Sequence, residues 1–491
     1  MTDDGGPFSR AYATITAGFT AVMFLTGFAA LAVVPTLPLA VRALGGVALY
    51  PLVAGGFVAA SLLGGILAGN RADRVGARQP LAVGVVLSVL TLLVSATSRS
   101  VWQLAAGRFF DGVAGGMVAV AVNSAIGQSY PERLRPRVLA LMSGAWVVPS
   151  LVGPPVAGLV ADWWGWRAVF FGLAALTLIP ALVVTAVLRE PPRASPPPRT
   201  PTGSVTPAEQ RPSLVAAAAV SLGAALAQYG VSAGGAAHLL CAVVGATLLA
   251  FFASRLVPAG VWRAARGLPA TVLLRGLSSG AYFTLEAFVP LLLDTERRVP
   301  AAVTGLGFTG AALAWAGASW AQGRLLRDVA RHHLVRAGAV VLVVASLLAI
   351  AGSYPDTPAF TAAAALILAG AGMGMLVPCL TVLSLSHSPA HRQGYASATM
   401  QTMQNLGQVT VMGLAAAVFA AGSGSGGPGP GYTAVFVLLL LPSLLAVLLA
   451  ARAQAAAAIP APAVGPEAPP TGRTLTSTQN KGQAGKTPGK I

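Results

Sequence analysis

Long apolar runs recur along this chain with little polar sequence between them, and almost every run is long enough to cross a bilayer. They fall at roughly 12–41, 46–68, 80–98, 101–127, 138–161, 167–188, 214–232, 235–254, 270–293, 301–322, 336–353, 359–386, 393–421 and 431–451. A helix rises ~1.5 Å per residue, so about 20 apolar residues match a ~30 Å hydrocarbon core. Inside that core each backbone N–H and C=O must find a partner within the protein, which leaves helices for segments of this kind. The pattern predicts an all-α polytopic membrane protein with about fourteen spans. Composition agrees: only 9% of the 491 residues are charged, against about 25% in soluble domains.

The net charge of +17 is a topology signal rather than a nucleic-acid footprint, because the arginines are spread over short connections between runs. With the N-terminus inside, 24 arginines and lysines fall on the inner side. Only Arg42, Arg99, Arg167, Arg297 and Arg298 fall outside, with Arg108 and Arg275 inside spans. This asymmetry predicts an even number of spans and both termini in the cytoplasm, in the inner (plasma) membrane. The first run is too long for a signal peptide and is read as a retained span.

The predicted organisation is a cytoplasmic N-terminus (1–11), a six-helix bundle (12–189), a cytoplasmic linker rich in Pro, Arg, Ser and Thr (190–213) and two inserted spans (214–254). A cytoplasmic connection (255–269), a second six-helix bundle (270–452) and a disordered tail (453–491) that holds all three lysines follow. Two cysteines, Cys241 and Cys379, lie in separate runs and supply no metal spacing or disulfide framework. The paired His332–His333 in one basic loop, and His387 and His391 in another, are read as loop residues rather than ligands. There is no G-x-x-x-x-G-K-[ST] loop, no H-E-x-x-H and no nucleophile elbow, which argues against ATP-driven transport and against an enzyme. No cofactor, metal or nucleic-acid partner is expected; the partners are a small-molecule substrate and the lipid bilayer, and the chain is read as a monomer.

Two internal echoes point to a duplication. Gly112-Val-Ala-Gly-Gly-Met-Val resembles Gly370-Ala-Gly-Met-Gly-Met-Leu, and Gly69 corresponds to Gly323, offsets of about 254–258 residues. That spacing implies two pseudo-symmetric six-helix bundles with two helices inserted between them, a design that puts a binding site at the bundle interface near the bilayer midplane.

The segment Gly69-Asn-Arg-Ala-Asp-Arg-Val-Gly-Ala-Arg places four charges within ten positions between two apolar runs. It resembles the G-x-L-A-D-R-x-G-R-K loop of the major facilitator superfamily, through Gly69, Ala72, Asp73, Arg74, Gly76 and Arg78, with Arg71 in place of the usual Leu. With the span count, the resemblance is to the fourteen-span drug:proton antiporter branch. It implies that Gly69, Asp73, Arg74, Gly76 and Arg78 form a cytoplasmic gate element; a merely topogenic turn is the alternative. Gly144, Gly153, Pro154 and Gly158 resemble the family's antiporter motif G-P-x-x-G-G, with Ala157 replacing one glycine. That match implies export, with ordinary small-residue packing as the alternative.

Arg108-Phe-Phe-Asp-Gly-Val-Ala-Gly-Gly resembles the family's R-x-x-x-G-x-x-x-G pattern, which implies a role in proton coupling. Asp111 lies roughly 14 Å deep, three residues from Arg108 on one helix face. Glu286 is the other acid read inside a span, about 10 Å from the outer end. Ionisable groups at such depth are functional candidates by default. Protonation of Asp111 and Glu286, with Arg108 as neighbour, is the expected coupling device; an ion pair that only orders the bundle, and a hydrogen-bonded Glu286 that does not titrate, are the alternatives. Arg275 is expected to snorkel to the inner end. Gln401, Gln404, Asn405 and Gln408 form one helical stripe that faces a cavity or pairs with other helices. Tyr282, Phe283, Phe110 and Trp146 are further candidates for lining that cavity. The functional expectation is a proton-driven secondary transporter that exports hydrophobic or amphipathic molecules by alternating access. An exporter of a lipid or an endogenous metabolite is the alternative, and a receptor or scaffold on the same fold a remote one.

Overall fold

The computed structural model describes residues 8–9, 12–130, 134, 138, 141–142, 145, 147–189, 214–233, 235–388, 393–423 and 428–454. The expected linker 190–213, almost all of the tail, His391, Gly144 and Trp146 lie outside these residues. The described residues contain no β-strand. The helices are α1 (Ala13–Ala32), α2 (Leu37–Ala43), α3 (Tyr50–Val75), α4 (Arg78–Ala96), α5 (Val101–Ser129), α6 (Val147–Trp164), α7 (Trp166–Arg189), α8 (Leu214–Gly230) and α9 (Ala236–Leu256). They continue with α10 (Leu268–Thr295), α11 (Ala301–Arg324), α12 (Arg331–Ser353), α13 (Phe360–Ser386), α14 (Gln393–Ser423) and α15 (Pro428–Leu449).

Eleven helical segments among the described residues are long and apolar enough to cross a membrane, counting α1 and α2 as one. The first run is therefore a single span interrupted by a short 3-10 turn, Val34–Thr36, where Pro35 cannot continue the helix. The other three runs expected to span correspond to α6, α7 and α8.

The glycine echo has a packing cause. A Cβ on Gly112 would lie 2.1 Å from the Phe57 carbonyl oxygen, and one on Gly116 would lie 2.0 Å from that of Ser61, so α5 and α3 meet backbone to backbone. The same contact recurs in the second half. Cβ atoms on Gly370 and Gly374 would sit 2.4 and 2.3 Å from the carbonyl oxygens of Ala311 and Trp315, which joins α13 to α11. Small residues permit such close approach where lipid supplies no hydrophobic drive between helices.

The two inserted helices behave differently. α9 is largely unenclosed, with Leu239, Leu240, Val243 and Phe251 more than half exposed. α8 is anchored: Ser221 Oγ donates to the Ala59 carbonyl at 2.6 Å, and Ala224 packs in one cluster with Ala59 of α3 and Val409 of α14. α8 thus touches a helix of each half. Among the eleven span-length segments α10 is the most enclosed, with 89% of an 18-residue apolar stretch buried against 11% for α9.

Two boundaries differ from the sequence expectation. The 69–81 segment is mostly helical, because α3 runs on to Val75 and α4 starts at Arg78; Ala and Arg are good helix formers and the chain there needs no long loop. Gly76 makes the turn, with φ +88° and ψ 161°, a conformation essentially reserved for glycine. α10 extends to Thr295, so Asp294 belongs to the same helix as Glu286 and is buried.

Candidate functional site

Arg108 and Asp111 sit one turn apart on α5 and face the packed side of the first half. Arg108 Nη1 donates to Asp111 Oδ2 at 2.7 Å, with both side chains buried. Two hydroxyls of α4 add to the pair, Ser88 Oγ at 3.2 Å and Thr91 Oγ1 at 3.4 Å from Asp111 Oδ1. The guanidinium also lies over the Phe57 ring, 4.5 Å from its centroid. Burying opposite charges is tolerable only when each is paired and hydrogen-bonded. Asp111 meets that condition through α4 and α5 alone.

Glu286 lies nine residues from the end of α10, or about 14 Å at ~1.5 Å per residue, deeper than the ~10 Å expected because the helix continues past the predicted run. It is 9% exposed. The Tyr282 hydroxyl, one turn earlier on the same helix, is its polar neighbour. Tyr282 is itself buried and packs edge-on against Trp315 of α11 at 5.4 Å. Tyr50 of α3 donates to the Ala287 carbonyl at 2.6 Å, which brings the first half against α10 at this level. Pro290 lies inside α10 and has no N–H for the carbonyl of Glu286, so the helix is missing a bond at this residue.

The amide stripe splits. Gln401 is exposed, Gln404 and Asn405 are half-buried and Gln408 is buried. Gln401 Nε2 donates to Asn405 Oδ1 at 3.2 Å. Gln404 reaches another helix, and it corrects the expectation for Arg275. Instead of snorkelling, Arg275 forks onto Gln404 Oε1, with Nε at 3.0 Å and Nη2 at 2.5 Å. The fork forms because α10 and α14 are in direct contact beside it: a Cβ on Gly407 would lie 2.0 Å from the Gly276 carbonyl oxygen. Phe110 is 53% exposed and stacks edge-on with Phe109.

The antiporter motif lies on the seam between the halves. A Cβ on Gly158 would lie 2.4 Å from the Ala301 carbonyl oxygen, and one on Gly305 would lie 2.6 Å from that of Pro154. Pro155 cannot donate to the Leu151 carbonyl four residues back. Thr309 Oγ1 of α11 supplies that bond instead, at 2.7 Å. Gly153 faces Phe28 and Ala32 of α1. In the 69–78 segment, Arg71 Nε donates to Gln79 Oε1 at 3.1 Å, Arg74 is exposed, Gly69 lies within α3 and Arg78 opens α4. The side chain of Asp73 lies outside the described set.

Sequence reasoning missed the polar links at the arginine-poor ends of the helices. Arg42 pairs with Asp294 at 3.1 Å and also donates to its carbonyl. Asp162, at the end of α6, accepts from the backbone N–H groups of Ala301 at 3.1 Å and Ala302 at 2.9 Å, capping α11 from the other half. The available signal was the exception to the arginine bias. Arg167 likewise donates to the Ser98 carbonyl at 2.8 Å, and Arg297 bonds the carbonyls of Gly352, Tyr354 and Pro355. Arginines that break the bias here hold helix ends together. Among the described residues no group of three His, Cys, Asp or Glu side chains could hold a metal ion.

Comparison with known proteins fits this architecture. The family model described as Major Facilitator Superfamily matches residues 19–412. The probable multidrug-efflux transporter of Mycobacterium tuberculosis strain H37Rv is 30% identical over 404 residues, covering 79% of this chain and 81% of the relative. Multidrug resistance protein MdtG of Klebsiella pneumoniae strain 342 is 31% identical over 34% of this chain and 42% of its own. Among solved structures, a D-xylose-proton symporter superposes with a TM-score of 0.62 at 15% identity, covering 88% of this chain and 97% of that one. A POT family transporter in complex with a thioalcohol-conjugated peptide superposes with a TM-score of 0.65 at 13% identity, covering 89% and 94%; at such identities these likenesses speak to the fold alone. The family match over most of the sequence, the relative matched over about four fifths of both chains and the paired helical halves agree: this chain belongs to the major facilitator superfamily, with a resemblance to its drug:proton antiporters.

Proposed function

We propose that this multi-pass transporter is a proton-coupled antiporter that exports hydrophobic or amphipathic small molecules, rocking 12–189 against 270–452, with both termini in the cytoplasm. The observation that carries the reading is Glu286, a carboxyl with no cation partner among the described residues, on the most enclosed of the eleven span-length segments, beside the contact Tyr50 makes from the other half. A coupling acid must gain a proton on one side and lose it on the other, and a carboxyl with few fixed partners is free to do so. Glu286 is therefore the proton carrier. Asp111, already neutralised by Arg108 and two hydroxyls, keeps the first half in register.

Export is supported by the antiporter motif, whose Pro154 and Gly158 meet α11 across the seam, and by relatives named for multidrug efflux. The links at the arginine-poor ends, Arg42–Asp294 and Asp162 with the start of α11, join the two halves, and in this reading they hold the outer side closed. Outward opening requires both to break, and their groups would be rehydrated as they part.

The test is proton flux in inverted vesicles on addition of dyes, antibiotics or lipids from a panel, with wild type and Glu286→Gln. The reading requires substrate-dependent proton release in wild type and its loss in the variant. Full proton-driven transport by Glu286→Gln would overturn the assignment of the carrier. A response to lipids alone would turn the cargo into a lipid.

A further inference from the structure

One face of α10 carries Arg275, Ser279, Tyr282 and Glu286, spaced four, three and four residues apart, so they stack along a single side of the helix. The proposed function uses only Glu286. At the other end of the stripe, Arg275 gives Nε and Nη2 to Gln404, while its Nη1 is buried without a partner. One turn on, Ser279 Oγ is also buried without a partner. Its neighbour Ser278 shows the usual outcome, with its hydroxyl spent on the Leu274 carbonyl at 2.8 Å.

A buried donor left unmade costs free energy, and a charged one costs more. Two such donors, one cationic, on adjacent turns of one helix face form an incomplete recognition site for an oxyanion. The Gln404 fork fixes the guanidinium plane, so the unused nitrogen is held in position rather than left to swing. Gln404 is a neutral acceptor, and therefore does not neutralise the charge it orients. Arg108 also leaves one buried nitrogen, Nε, without a partner, but its charge is already matched by the Asp111 carboxylate at Nη1, which Arg275 lacks.

We propose that Arg275 and Ser279 form the recognition site for a carboxylate carried by the exported molecule, with Gln404 as a positioning residue. This rests on the reading of the chain as an exporter and narrows its cargo to amphipathic molecules with an acidic group. Aromatic surface for the apolar part stands nearer Glu286, in Tyr282, Phe283 and Trp315. A carboxylate is compact and planar and suits the remaining edge of a guanidinium together with a hydroxyl.

The test uses the full chain in nanodiscs, without any gradient, so it reads binding independently of coupling. The probes are a xanthene dye with a free carboxylate and its ethyl ester, with fluorescence anisotropy as readout. Wild type is expected to bind the acid more tightly than the ester by about tenfold. Arg275→Gln should abolish that preference, Ser279→Ala should reduce it, and Gln404→Glu should abolish it by placing a carboxylate on Arg275 in advance. Gln404→Glu serves if Arg275→Gln does not fold, as judged by a melting curve. Equal affinity for acid and ester in wild type, or equal weakening of both by Arg275→Gln, overturns the proposal. Nanodiscs with and without phosphatidylglycerol separate the remaining source of an oxyanion: unchanged acid binding supports the proposal, and competition by the anionic lipid assigns the site to a headgroup and overturns it. If the acid preference stands while substrate-dependent proton release fails, the coupling reading falls and the site remains.

Discussion

Asp111 and Glu286 are both carboxyls buried ten or so residues inside long apolar helices, yet their surroundings are opposite in kind. Asp111 has Arg108 on its own helix and Ser88 and Thr91 on the next. All three belong to one half, so a rigid rocking motion leaves that cluster untouched. Glu286 has Tyr282 one turn away and no cation among its described partners. It sits on the helix that Tyr50 and Arg42 reach from the other half. Depth in the membrane therefore does not define a coupling acid. What distinguishes the two is compensation: the charge of Asp111 is matched by a cation within one half, whereas Glu286 has no such cation among its described partners and lies on the helix that the other half contacts.

The comparison is broken most forcefully at Arg108. Arg108→Ala strands a buried carboxylate and should destabilise the protein by about 3–5 kcal/mol. Adding Asp111→Ala should recover most of that loss; both effects are read from thermal melts of purified protein. If Arg108→Ala melts like wild type, the pair is not structural.

Glu286→Gln tests the other side of the contrast. It should lower proton-driven transport at least about tenfold, or ~1.4 kcal/mol in the rate-limiting step, with a melting temperature close to wild type. The neutral double variant Arg108→Gln/Asp111→Asn should retain most transport in the same vesicles. If it instead loses as much as Glu286→Gln, both acids carry protons and the division of roles fails.

Smaller effects come from the backbone repairs around these sites. Gly76→Ala must hold φ +88° and ψ 161°, which costs on the order of 1–3 kcal/mol and should lower the melting temperature without changing proton dependence. Thr309→Val removes the donor that satisfies the Leu151 carbonyl. It should cost about 1 kcal/mol, seen as a small melting shift together with a changed rate of interconversion between open forms.

Much of the fold was legible because a bilayer imposes so few solutions. Apolar runs gave the helices, and the glycine echo gave the duplication, because Gly112, Gly116, Gly370 and Gly374 each stand where a side chain has no room. The charged 69–78 segment was found but read as a loop, since hydropathy marks where a helix leaves the membrane and not where it ends. Arg275 and Asp294 were misread for a related reason. Each lies near a span end, where a sequence cannot tell a charge that reaches water from one that reaches Gln404 or Arg42.

The order of apolar runs, the arginine asymmetry and the small-residue motifs determined by themselves that this chain is a two-half helical membrane protein, because hydrocarbon penalises every unpaired backbone group and every stray charge alike. Only the tertiary structure decided which buried charges are already paired and which are left open. Pairing depends on neighbours hundreds of residues away, as with Arg42 and Asp294 or Thr309 and Leu151, and no local pattern records which helix face will meet which.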